Sequence, residues 1–132
     1  MANITKTNID NGNVILEEAL FRDELLTAAG AHTFLAGTVL ARDSTSLKLV
    51  PFVKGGVTRN NGIPVAILTY AVVAAGAGDT PIRAGISGSY RKERVIIDAD
   101  GTGANVDNAV LDALRLYDLV PIDTHELNIY DN

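Results

Sequence analysis

The sequence predicts a small, mainly β domain with one principal α-helix, and three observations predict it. Residues 37–73 read as three strands joined by turns. Farther on, Ile82, Ala84 and Ile86 alternate with Arg83, Gly85 and Ser87, which is the period of a strand. Only one stretch, beginning near Asn105, keeps an apolar stripe at helical spacing.

Taken in order, residues 1–13 are poor in large apolar groups and rich in Asn and Thr. A terminal segment of this kind stays loose unless something ties it down. Residues 13–21 have two readings. Val14-Ile15-Leu16 favours a strand, Glu17-Glu18-Ala19 favours the start of a helix, and the extended reading is preferred. Ala28-Ala29-Gly30 and Ala36-Gly37 punctuate the entry to the central unit. There, Gly37–Arg42 is the first strand, and the side-chain oxygens of Asp43-Ser44-Thr45-Ser46 stabilise a turn. Leu47–Lys54 follows, and the Gly55-Gly56 and Asn60-Asn61-Gly62 breaks lead into Ile63–Val73. That nearly unbroken apolar run reads as one strand covered on both faces, and it is too short to cross a bilayer as a helix.

Residues 74–81 are expected to form a connection, Gly88 to Arg94 an exposed turn, and Val95-Ile96-Ile97 a short strand. The helix then places Val106, Ala109, Val110, Ala113, Leu114 and Tyr117 along one stripe, with Asp107, Asn108, Asp112 and Arg115 opposite. Asn105 or Thr102 is the expected N-cap, and Asp107 suits the positive end of the helix dipole. Leu119–Ile122 is extended, because Pro121 forbids further helix.

A chain of 132 residues is one domain by size, and its 47% hydrophobic content is enough for a core without staples. The absence of Cys removes disulfides, zinc–thiolate sites and cysteine nucleophiles together. The first residues hold no apolar stretch of the signal-peptide kind, so a soluble protein without an export signal is expected. The net charge of −5 is unevenly spread. Residues 1–30 hold two basic and five acidic groups, residues 31–96 eight and three, and residues 97–132 one and eight. Overall acidity argues against nucleic acid as the main partner.

Candidate chemistry is sparse. Asp98-Ala99-Asp100-Gly101-Thr102-Gly103 has acidic groups at alternate positions, as a calcium loop does. An EF-hand beginning at Asp98 would put Ala109 where the bidentate Glu belongs, so an acidic turn before a capped helix is the preferred reading. The glycine-rich stretch 76–80 lacks the Lys-Ser/Thr pair of a phosphate loop. Gly85-Ile86-Ser87-Gly88-Ser89 departs from a nucleophile elbow at its last residue. His32 and His125 have no neighbouring ligand types at metal spacing. No catalytic residue, metal site or cofactor is therefore expected, and an enzyme is not.

The order of Gly37-Thr38-Val39-Leu40, Lys48-Leu49-Val50-Pro51, Gly62-Ile63-Pro64-Val65-Ala66-Ile67-Leu68 and the helix with Ala113-Leu114 resembles the lambda-like head decoration proteins of tailed phages. These are capsid cement proteins, and the resemblance runs from about Asn13 to Ile122. It implies a small β-barrel or β-clip-like domain at 23–132 with a flexible N-terminal arm at 1–22. It also implies a homotrimer on the outer surface of the expanded head, made in the host cytoplasm and bound to the major capsid protein. Neither nucleic acid nor membrane is an expected partner. In this reading Thr7, Ile9, Asn13, Val14, Ile15 and Leu16 form the capsid-binding arm, adding a strand to the shell protein. The chain departs from the family in its acidic tail after Ile122 and its basic residues Arg91 to Arg94. The alternative is a small β-rich ligand- or calcium-binding domain, or a hydrolase, using Asp98, Asp100 and Ser87.

Overall fold

The computed structural model describes residues 14–122, in which eight strands and one α-helix follow one another. They are β1 (Ile15–Ala28), β2 (His32–Phe34), β3 (Val39–Arg42), β4 (Leu49–Pro51), β5 (Pro64–Leu68), β6 (Val72–Ala74), β7 (Gly78–Arg91), α1 (Asn108–Leu116) and β8 (Leu119–Ile122). A single turn of 3₁₀-helix, Lys92–Arg94, follows β7. The mainly β class with one helix is as the sequence predicts, and five of the strands close into a barrel in the order β1-β4-β3-β5-β7-β1.

Local turn chemistry explains the β3–β4 hairpin. The Asp43 carboxylate accepts the backbone N–H groups of Thr45 (2.8 Å) and Ser46 (3.0 Å). Those bonds, Ser46 first, hold its pKa below the usual carboxylate range. The hairpin sets Ala41 opposite Val50, and β3 then pairs with β5, Val39 opposite Ile67. β1 and β7 form a long antiparallel ribbon from Ile15↔Tyr90 to Ala28↔Gly78, with register shifts between Ile15 and Phe21. Such irregularities bend a ribbon. The two halves of this one accordingly serve different cores. Leu26, Ala28, Ile82 and Ala84 join Phe34, Leu40, Leu49, Ala66, Leu68, Val72 and Ala74. Tyr90 joins Val14, Val39, Ala41, Phe52, Ile67, Val95, Ile97, Val110, Leu114 and Leu119. Neighbours along β3 and β5 alternate between the two clusters, so these strands are buried on both faces.

Several expectations are corrected. The apolar run 63–73 is two strands: the chain leaves the barrel at Thr69-Tyr70-Ala71, and β6 pairs with β2 in a separate two-stranded sheet. Leu68, Val72 and Ala74 nevertheless share one core, so the unbroken hydrophobicity reports burial and not continuous pairing. The expected connection at 74–81 ends early, because β7 begins at Gly78. The expected exposed turn 88–94 is mostly strand, since β1 and β8 flank β7 as far as Arg91. Tyr90 is fully buried there, and Arg91 is 4% exposed. Tyr90 folds back beneath Gly85, where a Cβ would collide with its hydroxyl oxygen. Its hydroxyl donates to the Ser87 carbonyl (2.8 Å), and burial pushes its pKa up to about 12. Val95-Ile96-Ile97 makes single bridges to Thr38 and Thr102 and is no strand of the barrel.

Helix α1 starts later than predicted. Asp107 is its N-cap, accepting the Val110 N–H at 3.1 Å. Thr102 and Asn105 are occupied elsewhere, with Ala104 N–H and with the Asp100 carboxylate. Val110 and Leu114 are buried, whereas Ala109 and Tyr117 are exposed, so the buried stripe is narrower than the apolar one. β8 runs parallel to β7 on the side that β5 has left, and as an edge strand it tolerates Pro121.

Candidate interaction surfaces

The residues that carried the candidate chemistry are not brought together. Asp98 takes His32 Nε2 at 2.7 Å, Asp100 takes the Asn105 amide at 2.9 Å, and Ser87 lies within β7. Among the described residues, no three His, Asp or Glu side chains are placed to hold a metal ion. No described helix is long and apolar enough to cross a membrane. His125 lies outside the described residues.

Of the six arm residues, Thr7, Ile9 and Asn13 also lie outside the described residues. Val14, Ile15 and Leu16 do not extend from the body. Val14 is 5% exposed within the Tyr90 core, and its carbonyl accepts the Arg91 N–H at 2.7 Å. Ile15 and Leu16 begin β1, and so residues 15–22, assigned to the arm from sequence, form the first half of the barrel ribbon. The cause is the length of β7, which reaches far enough to pair with them.

This pairing fixes where the first and last described residues lie. Arg91 is bonded to Val14 on one side and is the register partner of Ile122 on the other. Val14 and Ile122, the first and last described residues, therefore lie at the same pole of the barrel, on either side of one strand.

Two separate surfaces carry exposed apolar side chains. Near the far end of the ribbon is an open groove of about 660 Å³, lined by Leu25, Leu47, Tyr70, Pro81 and Ile82 together with the charged Asp23, Glu24, Lys48 and Arg83. Leu47 is the odd residue in it: 64% exposed, with φ of 64°, a left-handed conformation that a bulky side chain rarely adopts. Arg42 donates to the Leu47 carbonyl (2.8 Å) and also to both oxygens of Glu24. The Arg42 guanidinium, as the largest cause, lowers the Glu24 pKa. Lys48 reaches Asp79 at 2.5 Å, and Thr27 donates to the same carboxylate. The second surface surrounds the end of α1 and β8: Leu116 (81% exposed), Tyr117, Val120 and Ile122. The two are centred on ribbon residues about eight apart, or roughly 25 Å at strand rise.

Sequence reasoning passed over both surfaces. The available signals were a leucine inside the polar Asp43–Lys48 turn and Leu116 outside the helix stripe. The uneven charge along the chain is partly settled within the molecule, through Arg42–Glu24 and Lys54–Asp107. No model of a known protein family matches this chain, and no curated protein matches it.

Proposed function

We propose that this chain is a structural decoration protein of a tailed-phage head, binding the outer surface of the expanded capsid as a trimer and reinforcing it against the pressure of packaged DNA. The observation that carries the reading is that Val14 and Ile122, the first and last described residues, flank Arg91 at one pole. A molecule polarised in this way turns its terminal segments toward one partner surface and its remaining faces elsewhere. The arm is shortened to residues 1–13, with Thr7, Ile9 and Asn13 as the contact residues that remain in it. The ordered series of motifs shared with lambda-like decoration proteins points the same way.

Two unlike apolar surfaces support the trimer. A ring of three copies uses a heterologous contact, in which one patch of each subunit meets a different patch of the next. In this reading the groove at Leu25, Leu47 and Tyr70 receives the exposed side chains of Leu116, Tyr117 and Val120 from the next subunit. Three arms presented together also offset the entropy of ordering each one.

The test is co-sedimentation with purified expanded heads, with mass in solution measured by light scattering. The full chain is expected to bind. Deletion of residues 1–13 is expected to weaken binding by roughly tenfold or more while leaving the circular dichroism unchanged. Equal binding by the truncated chain would overturn the arm, and no binding by the full chain would overturn the reading as a whole.

A further inference from the structure

We infer that the hollow between β2 and the barrel is a binding site for a small neutral aromatic alcohol, whose hydroxyl is received by His32. The hollow measures about 500 Å³, within the roughly 300–1,000 Å³ of small-molecule sites. Phe34, Val50 and Pro51 supply apolar wall, and His32 and Asp98 stand in that wall as a bonded pair. The third polar side chain there, Thr27, already donates to Asp79.

The chemistry of the pair selects the guest. An ionised carboxylate only accepts, so the 2.7 Å contact with Asp98 puts the hydrogen on Nε2 of His32. The neutral imidazole then keeps Nδ1 as an acceptor, and a hydroxyl is the donor that suits it. The same carboxylate repels an anionic guest, and a cationic one would lose hydration against the apolar wall. The Phe34 ring stands edge-on to the imidazole, centroids 4.7 Å apart at 83°, an arrangement that a third flat ring extends. A guest seated here touches Phe34 of the β2–β6 sheet and Val50 and Pro51 of the barrel together. It therefore adds a fastening between two parts that share no backbone pairing. The inference does not depend on capsid binding.

The experiment titrates the full chain with para-ethylphenol, with its methyl ether and with para-ethylbenzoate, following amide spectra and amide exchange. The phenol is expected to shift the amides of His32, Phe34, Val50 and Asp98 saturably. The ether should bind about fivefold more weakly, the worth of one neutral hydrogen bond, and the benzoate more weakly still. With the phenol at about ten times its Kd, exchange at residues 32–34 and 72–74 should slow about tenfold, because opening must first release the guest. Gly30 borders the hollow, its φ is not left-handed, and no heavy atom beyond its chain neighbours lies within 4 Å of a Cβ built there. Gly30→Leu should therefore keep the urea midpoint of the parent and weaken the phenol about fivefold or more. His32→Phe should bring the phenol down to the affinity of the ether. The absence of saturable shifts in the parent would overturn the proposal. So would equal affinities for phenol and ether, or exchange that is unchanged at saturation.

Discussion

The barrel has two covers, and they are fastened in different ways. α1 with β8 is joined through backbone: β8 extends the ladder of β7 over four residue pairs, and Asp107 ties the helix start to Val110 N–H and to Lys54 (2.5 Å). The β2–β6 sheet pairs only with itself, over three residue pairs. It is held by the packing of Phe34, Val72 and Ala74 and by the His32–Asp98 contact, while Val73 stays 70% exposed. A ladder spreads its fastening over many groups, whereas side-chain docking concentrates it on a few. The β2–β6 cover is therefore the part that opens first.

The largest effect is expected at the link from the β2–β6 cover into the barrel. Gly37 lies between β2 and β3, donates to the Leu68 carbonyl (2.6 Å), and accepts from Ile96 N–H (3.0 Å). Its φ is +95°, and a Cβ there would overlap the Arg94 carbonyl oxygen. Gly37→Ala should cost about 3 kcal/mol or more in urea unfolding. An unchanged midpoint would show that this joint is not rigid.

Acid should act on the α1 cover. Lys54, then the Val110 N–H, hold the Asp107 pKa below its ordinary 3.8. A depressed folded pKa contributes stability that is complete above the unfolded value and lost as pH falls through the folded one. Asp107→Asn keeps a capping side chain but removes the titration. The variant should be less stable than the parent at pH 7 and lose less between pH 7 and about pH 2.5. Glu24, Asp43 and Asp79, held down first by Arg42, the Ser46 N–H and Lys48, add to the acid response. Parallel pH dependences in variant and parent would remove the Lys54 pair from the account.

The smallest effect isolates the other cover. His32→Ala should speed amide exchange at residues 32–34 and 72–74 several-fold while moving the urea midpoint little. A midpoint that falls together with the protection would mean that β2–β6 and the barrel open as one unit.

What could be read in advance was what short-range chemistry decides. The Asp43 turn and its hairpin follow from side-chain oxygens a few residues away, and the helix follows from its period. Partnership between distant segments was not legible. Ile63–Val73 looks like one strand because both halves are apolar, and only the positions of β2 and β7 divide it. Tyr90-Arg91 looks like part of a surface turn because its charge is local, whereas its burial is imposed by β1 and β8. The same limit applies to the interaction surfaces: Leu25, Leu47, Tyr70 and Pro81 are dispersed in the chain and meet only in the folded barrel.

The ribbon of β1 and β7 carries one more consequence, for the order of events in synthesis. Ile15 is made early and its mate Tyr90 late, with β2 to β6 emerging between them. On the ribosome the first strand must wait, without its antiparallel partner, until β7 has emerged. Closure then joins the oldest and youngest parts of the barrel in one slow, long-range step.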